Sequence, residues 1–299
     1  MSMSTHAGYV ALLGRPNVGK STLLNRLIAH KISITSPKPQ TTRHTILGIR
    51  TVENTQIIYV DTPGLHRNAR RAMNRYMNRT AAGVLSYVDV VVMLIDALRW
   101  TEEDEAVLER LQEFAGPIIL AVNKVDRITA KSQLLPFLQS LDGKRNFAGI
   151  VPLSARTGVN VDTLERLTAG LLPEGEFLFA PAQITTASER FLVAELIREK
   201  LTRQLRQELP YALTVEIETF KEQERMLHIG AVIWVERPSQ KGIVIGEQGA
   251  VLKAVGRQAR QDMERLLQRK VFLETWVKVR EGWSDDDRAL RSLGYQDEF

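Results

Sequence analysis

Cysteine is absent from the 299 residues, which excludes disulfides, thiolate-bound metals and cysteine nucleophiles. That absence fits a reducing, cytoplasmic compartment. Long apolar runs are also absent. The most apolar stretch, Val88 to Ile95, is interrupted by Asp89. It is far too short to span a bilayer and reads as a buried strand. Met1 to Ala7 is short and polar and runs straight into a strand-like segment, Tyr9 to Leu13, so no secretory leader is expected. A strong excess of one charge is missing as well. The net charge is +5, but residues 186–299 contain 19 basic and 19 acidic side chains, whereas the first 185 residues hold 21 and 16. Any case for nucleic-acid binding in the second part must therefore rest on local pattern rather than bulk charge.

What is present is a chain long enough for two domains. From Tyr9 to about Leu172, short apolar runs alternate with amphipathic ones. The pattern predicts strands at 9–13, 46–51, 56–61, 89–95, 117–123 and 148–153. It predicts helices at 19–29, 70–85, 102–114, 131–141 and 160–171. Continuously apolar strands such as Val90 to Ile95 imply burial on both faces, as in a mainly parallel sheet covered by helices. The four-residue loop Val52 to Thr55 is too short for a crossover, so 46–51 and 56–61 should pair antiparallel at an edge. Pro173-Glu174-Gly175 ends the last helix and opens a linker. Beyond it the pattern predicts a helix over 188–205, strands at 211–219 and 227–236, a glycine-rich turn with a long basic helix over 241–268, and a strand at 270–280.

Gly14-Arg15-Pro16-Asn17-Val18-Gly19-Lys20-Ser21 fits G-x-x-x-x-G-K-[ST] between a strand and a helix. Its glycines let backbone N–H groups approach phosphates, and the helix N-terminus that continues through Thr22 favours negative charge. Lys20 can reach the β- and γ-phosphates, and the Ser21 hydroxyl can ligate Mg²⁺. Asp61-Thr62-Pro63-Gly64 follows an apolar strand. Asp61 is placed to hold the magnesium shell, and the Gly64 amide to approach a γ-phosphate. An Asx turn explains that segment equally well when it is taken alone. Asn123-Lys124-Val125-Asp126 follows another strand. A carboxylate there can accept both N1–H and N2–H₂ of guanine, and adenine would leave it unpaired. Buried polar readers of this kind discriminate by factors on the order of 10⁴. Asn123 can bridge base and phosphate loop, the Lys124 stem can cover the base, and Ser154-Ala155-Arg156 can offer an amide to guanine O6. A small-molecule kinase could share the phosphate loop but has no need of Asn123-Lys124-Val125-Asp126.

With those residues in order, 9–172 resembles a GTPase domain of the translation-factor-related class. Pro39-Gln40-Thr41-Thr42-Arg43-His44 resembles the first switch of the Era family of ribosome-assembly GTPases. The resemblance implies an α/β P-loop GTPase domain at 1–175, a linker at 176–186 and an α+β type II KH domain with a C-terminal tail at 187–299. It implies that Thr42 joins Ser21 and Asp61 in the magnesium shell, and that Asn17, Lys20, Thr42 and Gly64 serve hydrolysis. The position that holds a water-orienting glutamine in many GTPases is Leu65, followed by His66. Slow turnover is therefore expected, with water held by backbone and metal groups, and His66 reads as an exposed switch residue rather than a general base. Some relatives bind potassium through the asparagine that matches Asn17, and the same is an expectation here.

In the second domain Gly246-Glu247-Gln248-Gly249 lies between a short apolar stretch, Gly242 to Ile245, and the helix over 250–268, and resembles the turn between helices of a type II KH domain. Such a turn admits the nucleic-acid backbone, and an adjacent apolar groove holds about four unstacked bases. Lys253, Arg257 and Arg260 fall on one face of the following helix and can meet phosphates. By charge alone that stripe reads as a solvated face. Glu247 departs from the basic residue often found in the loop and would repel a nearby phosphate. The resemblance implies binding of the 3′ end of 16S rRNA, assistance to 30S subunit maturation, a monomeric state and peripheral association with the inner membrane. Trp283 to Tyr295 also resembles the family's C-terminus. A protein-docking role for this domain is the competing reading. One outcome depends on the base-reading motif alone. Asp126→Asn should weaken GTP and GDP binding and favour xanthine nucleotides, and full GTP affinity in a nucleotide titration would refute the role of Asp126.

Overall fold

The computed structural model describes residues 4–64, 72–205 and 209–295. The first part is built on β1 (His6–Leu13), α1 (Lys20–Ile28), β2 (Ile46–Val52), β3 (Thr55–Asp61), α2 (Ala72–Gly83), β4 (Val90–Asp96), α3 (Glu102–Arg110), β5 (Ile118–Asn123), α4 (Leu134–Asp142), β6 (Gly149–Pro152) and α5 (Val161–Ala169). The strands form one sheet in the order β2-β3-β1-β4-β5-β6. All neighbours are parallel except β2 and β3, which form the expected antiparallel edge.

The double burial inferred from the apolar strands is visible residue by residue in β4. Val90, Val92 and Leu94 enter a core shared with α1 and α5, and Val91, Met93 and Ile95 enter a second core shared with α3. Successive side chains on a strand point to opposite faces, so only a sheet covered on both sides can bury all six. Strand order reverses around β1, and the glycine-rich turn emerges there, at the carboxyl ends of the strands. This is the usual crevice for ligands in open α/β sheets.

The second part comprises α6 (Glu189–Gln204), β7 (Leu213–Gln223), β8 (Met226–Val235), α7 (Pro238–Ile245), α8 (Ala250–Leu267), β9 (Lys270–Val279) and α9 (Asp287–Ser292). β7 and β8 are antiparallel, and β9 runs parallel to β8. The parallel pair needs a crossover, which α7, the glycine turn and α8 supply. One face of this sheet packs on α6 and α8.

Some bounds differ from the sequence expectations for physical reasons. β1 begins at His6, because residues 6–8 pair with Thr55–Ile57 before the apolar run starts. The helix expected over 102–114 stops at Arg110 and closes in hydrogen-bonded turns through Phe114. β7 runs to Gln223 because Glu224 and Arg225 both take positive φ, 47° and 70°, and close a two-residue hairpin. The helix expected over 70–85 is described from Ala72 to Gly83.

Residues 176–186, read as a linker, are fastened to the edge strand. Ile49 donates its N–H to the Ile184 carbonyl at 2.9 Å, and the Thr185 hydroxyl donates to the Leu47 carbonyl at 2.7 Å. That contact covers part of an otherwise open edge. The C-terminal tail crosses back to the first part. Trp283, Leu290 and Tyr295 bury against Ala72, Met73, Tyr76 and Met77 of α2, and Asp285 accepts the Ala72 N–H at 2.8 Å.

Candidate functional site

The glycine-rich turn is held in shape by its own backbone demands and by distant side chains. Gly19 has φ 106°, and a Cβ there would meet Asn123 Nδ2 at 2.4 Å, so only glycine fits. Asn123, 2% exposed, donates to the Val18 carbonyl at 2.7 Å. Its Oδ1 accepts the N–H groups of Lys124 at 2.8 Å and Ala155 at 2.9 Å. One amide thus joins the phosphate loop, β5 and the 154–156 loop. The sequence expected Asn123 to bridge to the loop, and it does. In this arrangement the Ala155 N–H is already given to Asn123. Lys124 donates to the Asn17 carbonyl at 2.7 Å and pairs with Asp96 at 2.6 Å.

Arg15 does not aim its side chain into the cleft. Its guanidinium binds Asp104 at 3.1 Å and Asp96 at 2.7 Å, so only its backbone remains for a ligand. Lys20 is buried and donates to the Gly14 and Arg15 carbonyls at 2.9 and 3.1 Å. Burial lowers its ammonium to about 8, opposed by the Asp61 charge. A cleft of about 570 Å³ opens over these groups, lined by Pro16, Asn17, Gly19 to Thr22, Gln40 to Thr42 and Gly64. Pro16 and Gly64 touch: a Cβ on Gly64 would stand 3.0–3.1 Å from Pro16 atoms. Lys124 and Arg156 close the base end of the same cleft.

Asp61 is fully buried at the end of β3. Its Oδ2 accepts from the Ser33 hydroxyl at 2.9 Å, and its Oδ1 has no hydrogen-bond partner. Burial pushes its carboxyl up, opposed by Lys20 and by the hydroxyls of Ser21, Ser33 and Thr42. Ser21 Oγ and Thr42 Oγ1 lie 2.7 Å apart. One orphaned carboxylate oxygen beside two hydroxyls is a hard-oxygen donor set of the kind Mg²⁺ takes together with waters and phosphates. The residues present fit that ion. Thr62 turns away and donates to the Leu12 carbonyl at 3.0 Å, and Pro63 is buried. Leu65 and His66 lie outside the described residues.

At the base end, Asp126 Oδ1 accepts from the Ser154 hydroxyl at 2.6 Å and Oδ2 from Arg156 at 2.5 Å. The Ser154 hydrogen bond, ahead of the Arg156 charge, holds this carboxyl below the usual range. It stays ionised and acceptor-only, as reading guanine requires. Arg156 is mostly exposed and can yield its oxygen to a ligand.

The 35–44 segment is not a loose loop. The Asn17 side chain donates to the Pro37 carbonyl at 2.9 Å. Arg43 is fully buried and donates to the carbonyls of Leu213, Pro210 and Tyr211 at 2.8–3.2 Å. His44 stacks on Tyr295 with ring centroids 4.5 Å apart. In the second domain, Gly246 and Gly249 take φ 73° and 78° and shape the turn between α7 and α8. Lys253 and Arg257 are exposed, whereas Arg260 is tied to Glu264 at 3.1 Å. Ile243, 58% exposed on α7, is an apolar side chain beside this turn that the sequence reading did not single out. Other supports it missed are Ser33, Asn25, Asp96 and Asp104. Asn25 caps the Ile32 and Ser33 amides at 2.9 Å, a link that no motif announces.

A phosphate loop at a topological switch point, a buried carboxylate with two hydroxyls, and a carboxylate reader beside β5 and β6 define a P-loop GTPase domain; the sheet and glycine turn that follow define a KH domain. Residues 9–124 match the family model described as 50S ribosome-binding GTPase, and residues 208–284 match a KH domain. GTPase Era from Azotobacter vinelandii is 59% identical over 294 residues, covering 98% of each chain, and that from Pseudomonas syringae pv. tomato is 58% identical with the same coverage. A crystal structure of a variant Aquifex aeolicus Era bound to GDP·AlF4⁻ superposes with a TM-score of 0.93 at 40% identity, covering 97% of this chain and 99% of that one. A structure of Era with MgGDPNP and nucleotides 1506–1542 of 16S ribosomal RNA gives the same values. The chain belongs to the GTPase Era family.

His44 supplies a pH prediction. Burial, helped by the charges of Arg198 and Arg43 and opposed by Glu195, lowers its imidazolium from 6.5 to about 4. The unfolded chain takes up this proton near 6.5 and the folded chain does not. Stability is therefore lost as pH falls from about 6.5 towards 4, by on the order of 3 kcal/mol from this group. His44→Phe, which keeps a ring against Tyr295, should flatten that part of the stability–pH curve in denaturant titrations. An unchanged slope would show that His44 does not titrate on unfolding.

Proposed function

We propose that the chain is a GTP-hydrolysing switch whose second domain binds the 3′ end of 16S rRNA and which thereby assists maturation of the small ribosomal subunit. The observation that carries this reading is the position of the 35–44 segment. It faces the nucleotide cleft through Thr42 and the second domain through Arg43. Asp126 reads guanine. Amides of the 14–21 loop and the Lys20 ammonium receive the phosphates. Ser21, Thr42 and Asp61 hold magnesium, which when bound neutralises charge between the phosphates.

Hydrolysis needs positioning and charge stabilisation more than covalent chemistry. Lys20 is pre-set in the loop by two carbonyls, so little reorganisation is needed when charge develops. Gly64 packs against the loop at Pro16, and its amide would be drawn towards a γ-phosphate there. The domain limits follow the same reading, with 1–175 for nucleotide, 176–186 as a docked connector and 187–299 for RNA. Gly246 and Gly249 would admit the RNA backbone, with Lys253, Arg257 and Arg260 meeting phosphates and Ile243 offering an apolar base contact. Among the described residues no helix is long and apolar enough to cross a membrane. A monomeric protein with peripheral association at the inner membrane completes the reading, on resemblance alone.

Binding of an oligonucleotide matching the 3′ end of 16S rRNA should exceed binding of a scrambled RNA and depend on whether GTP analogue or GDP is present. Gly249→Asp should lower it about tenfold or more by setting a like charge against the phosphates. Equal binding of both RNAs in every nucleotide state would sink the ribosomal assignment. A potassium ion at Asn17 would add a second cation beside the phosphates. Asn17 should carry a faster turnover in potassium than in sodium, and Asn17→Ala should remove the difference. Equal rates in both salts, unchanged by the substitution, would end that idea.

A further inference from the structure

Thr42 is gripped from both sides by the second domain. On its N-terminal side, the Thr41 carbonyl accepts a hydrogen bond from Arg198 of α6. Farther back, the Thr35 N–H and carbonyl are taken by Glu199 at 3.0 Å and Arg203 at 2.8 Å, and Lys38 reaches the Leu205 carbonyl. On its C-terminal side, Arg43 is locked to three carbonyls of residues 210–213. Arg198 is 1% exposed and Glu195 7%. Their pairing is bidentate, Nε to Oε1 at 2.7 Å and Nη2 to Oε2 at 2.6 Å. Burial works against both charges, yet each keeps the other ionised.

A guanidinium is suited to this double task. Its donors lie in one rigid plane, so fixing two of them on a carboxylate aims the rest. Water is excluded here, and the Thr41 carbonyl would be left unpaired if Arg198 withdrew. Thr42 itself offers the cleft only a short side chain on this held peptide. Its hydroxyl position against Ser21 is therefore set by the backbone on either side.

We propose that Arg198, oriented by Glu195, is a positioning residue for the GTPase site: it holds the Thr41 carbonyl and thereby places the Thr42 hydroxyl beside Ser21. The inference rests on the reading of Thr42 as the residue that completes the magnesium shell. It makes the second domain a part of the nucleotide site in addition to an RNA module. These contacts order the segment around Thr42, and a triphosphate with its magnesium is the ligand that draws on the threonine they place. A diphosphate, which has no γ-phosphate beside Thr42, gains little from the same grip.

The test compares full-length variants by nucleotide affinity and by turnover. Arg198→Lys keeps the charge but offers one nitrogen for two tasks, and Glu195→Gln/Arg198→Met removes both buried charges together. Affinity for GDP should stay within about twofold, while affinity for a non-hydrolysable GTP analogue with magnesium and kcat should each fall about tenfold. A variant that melts cooperatively with unchanged analogue affinity and kcat overturns the proposal. Should both fail to fold, Glu195→Gln alone, which keeps the guanidinium and loosens its aim, carries the same expectation and the same refutation. Thr42→Ala separates the two readings. If it weakens the analogue and the Arg198 variants do not, this inference fails alone. If Thr42→Ala has no effect either, the reading of Thr42 fails first.

Discussion

The side-chain amide of Asn123 is the contact on which the nucleotide site depends. It meets the phosphate loop at Val18, its own strand at Lys124 and the following loop at Ala155. The three partners lie just after β1, β5 and β6, in stretches far apart in the chain. A buried amide that accepts two hydrogen bonds and donates a third is costly to disturb, because every broken bond leaves an unpaired polar group away from water. The packing around it is equally intolerant: Gly19 leaves room for Nδ2 and for nothing larger. The phosphate end and the base end of the cleft are thus tied to one another through one side chain.

Around that fixed centre, charges far apart in the chain complete the site. Arg15 is clamped by Asp96 and Asp104, and Asp96 also holds Lys124. The same logic operates between the domains, where Lys31, Lys200 and Arg203 surround Glu199 and Asp262. Removing one member of a pair buried on both sides, as Arg15 and Asp104 are, typically costs about 3–5 kcal/mol, because the remaining charge is stranded, whereas water screens the pairs of Lys31 and Arg203. The helix α6 that carries much of this network is buried on nearly every side, with the first domain against one face and the second sheet against the other. The seam is therefore polar and specific in addition to apolar, which suits an interface that must recognise one arrangement of the 35–44 segment.

Much of this was legible in the chain. The continuous apolar run of β4 announced a sheet covered on both faces, and the short Val52–Thr55 connection announced the antiparallel edge. Other elements were not. The hairpin turn at Glu224-Arg225 carries two positive φ angles without glycine or asparagine, so its composition gave no turn signal. Glu195, Arg198, Glu199 and Lys200 look like a solvated helix face in sequence, yet all four are buried. The connector at 176–186 reads as a tether because nothing local tells that Ile184 and Thr185 lie on β2.

The sequence by itself determined the groups that line the cleft: a phosphate loop, a carboxylate at the end of each of two strands and, in a second domain, a glycine turn. These are legible because each requires particular residues at short, fixed spacing on one strand-to-helix or helix-to-helix turn. Only the tertiary structure decided how Thr42 is held, what Arg15 does with its side chain, and that the tail from Trp283 to Tyr295 rests on α2 and His44. Those outcomes depend on pairs separated by tens to hundreds of residues. Their energy comes from excluding water around groups that meet only once the first sheet has folded, for Arg15, and once the two domains have packed together, for Thr42 and the tail.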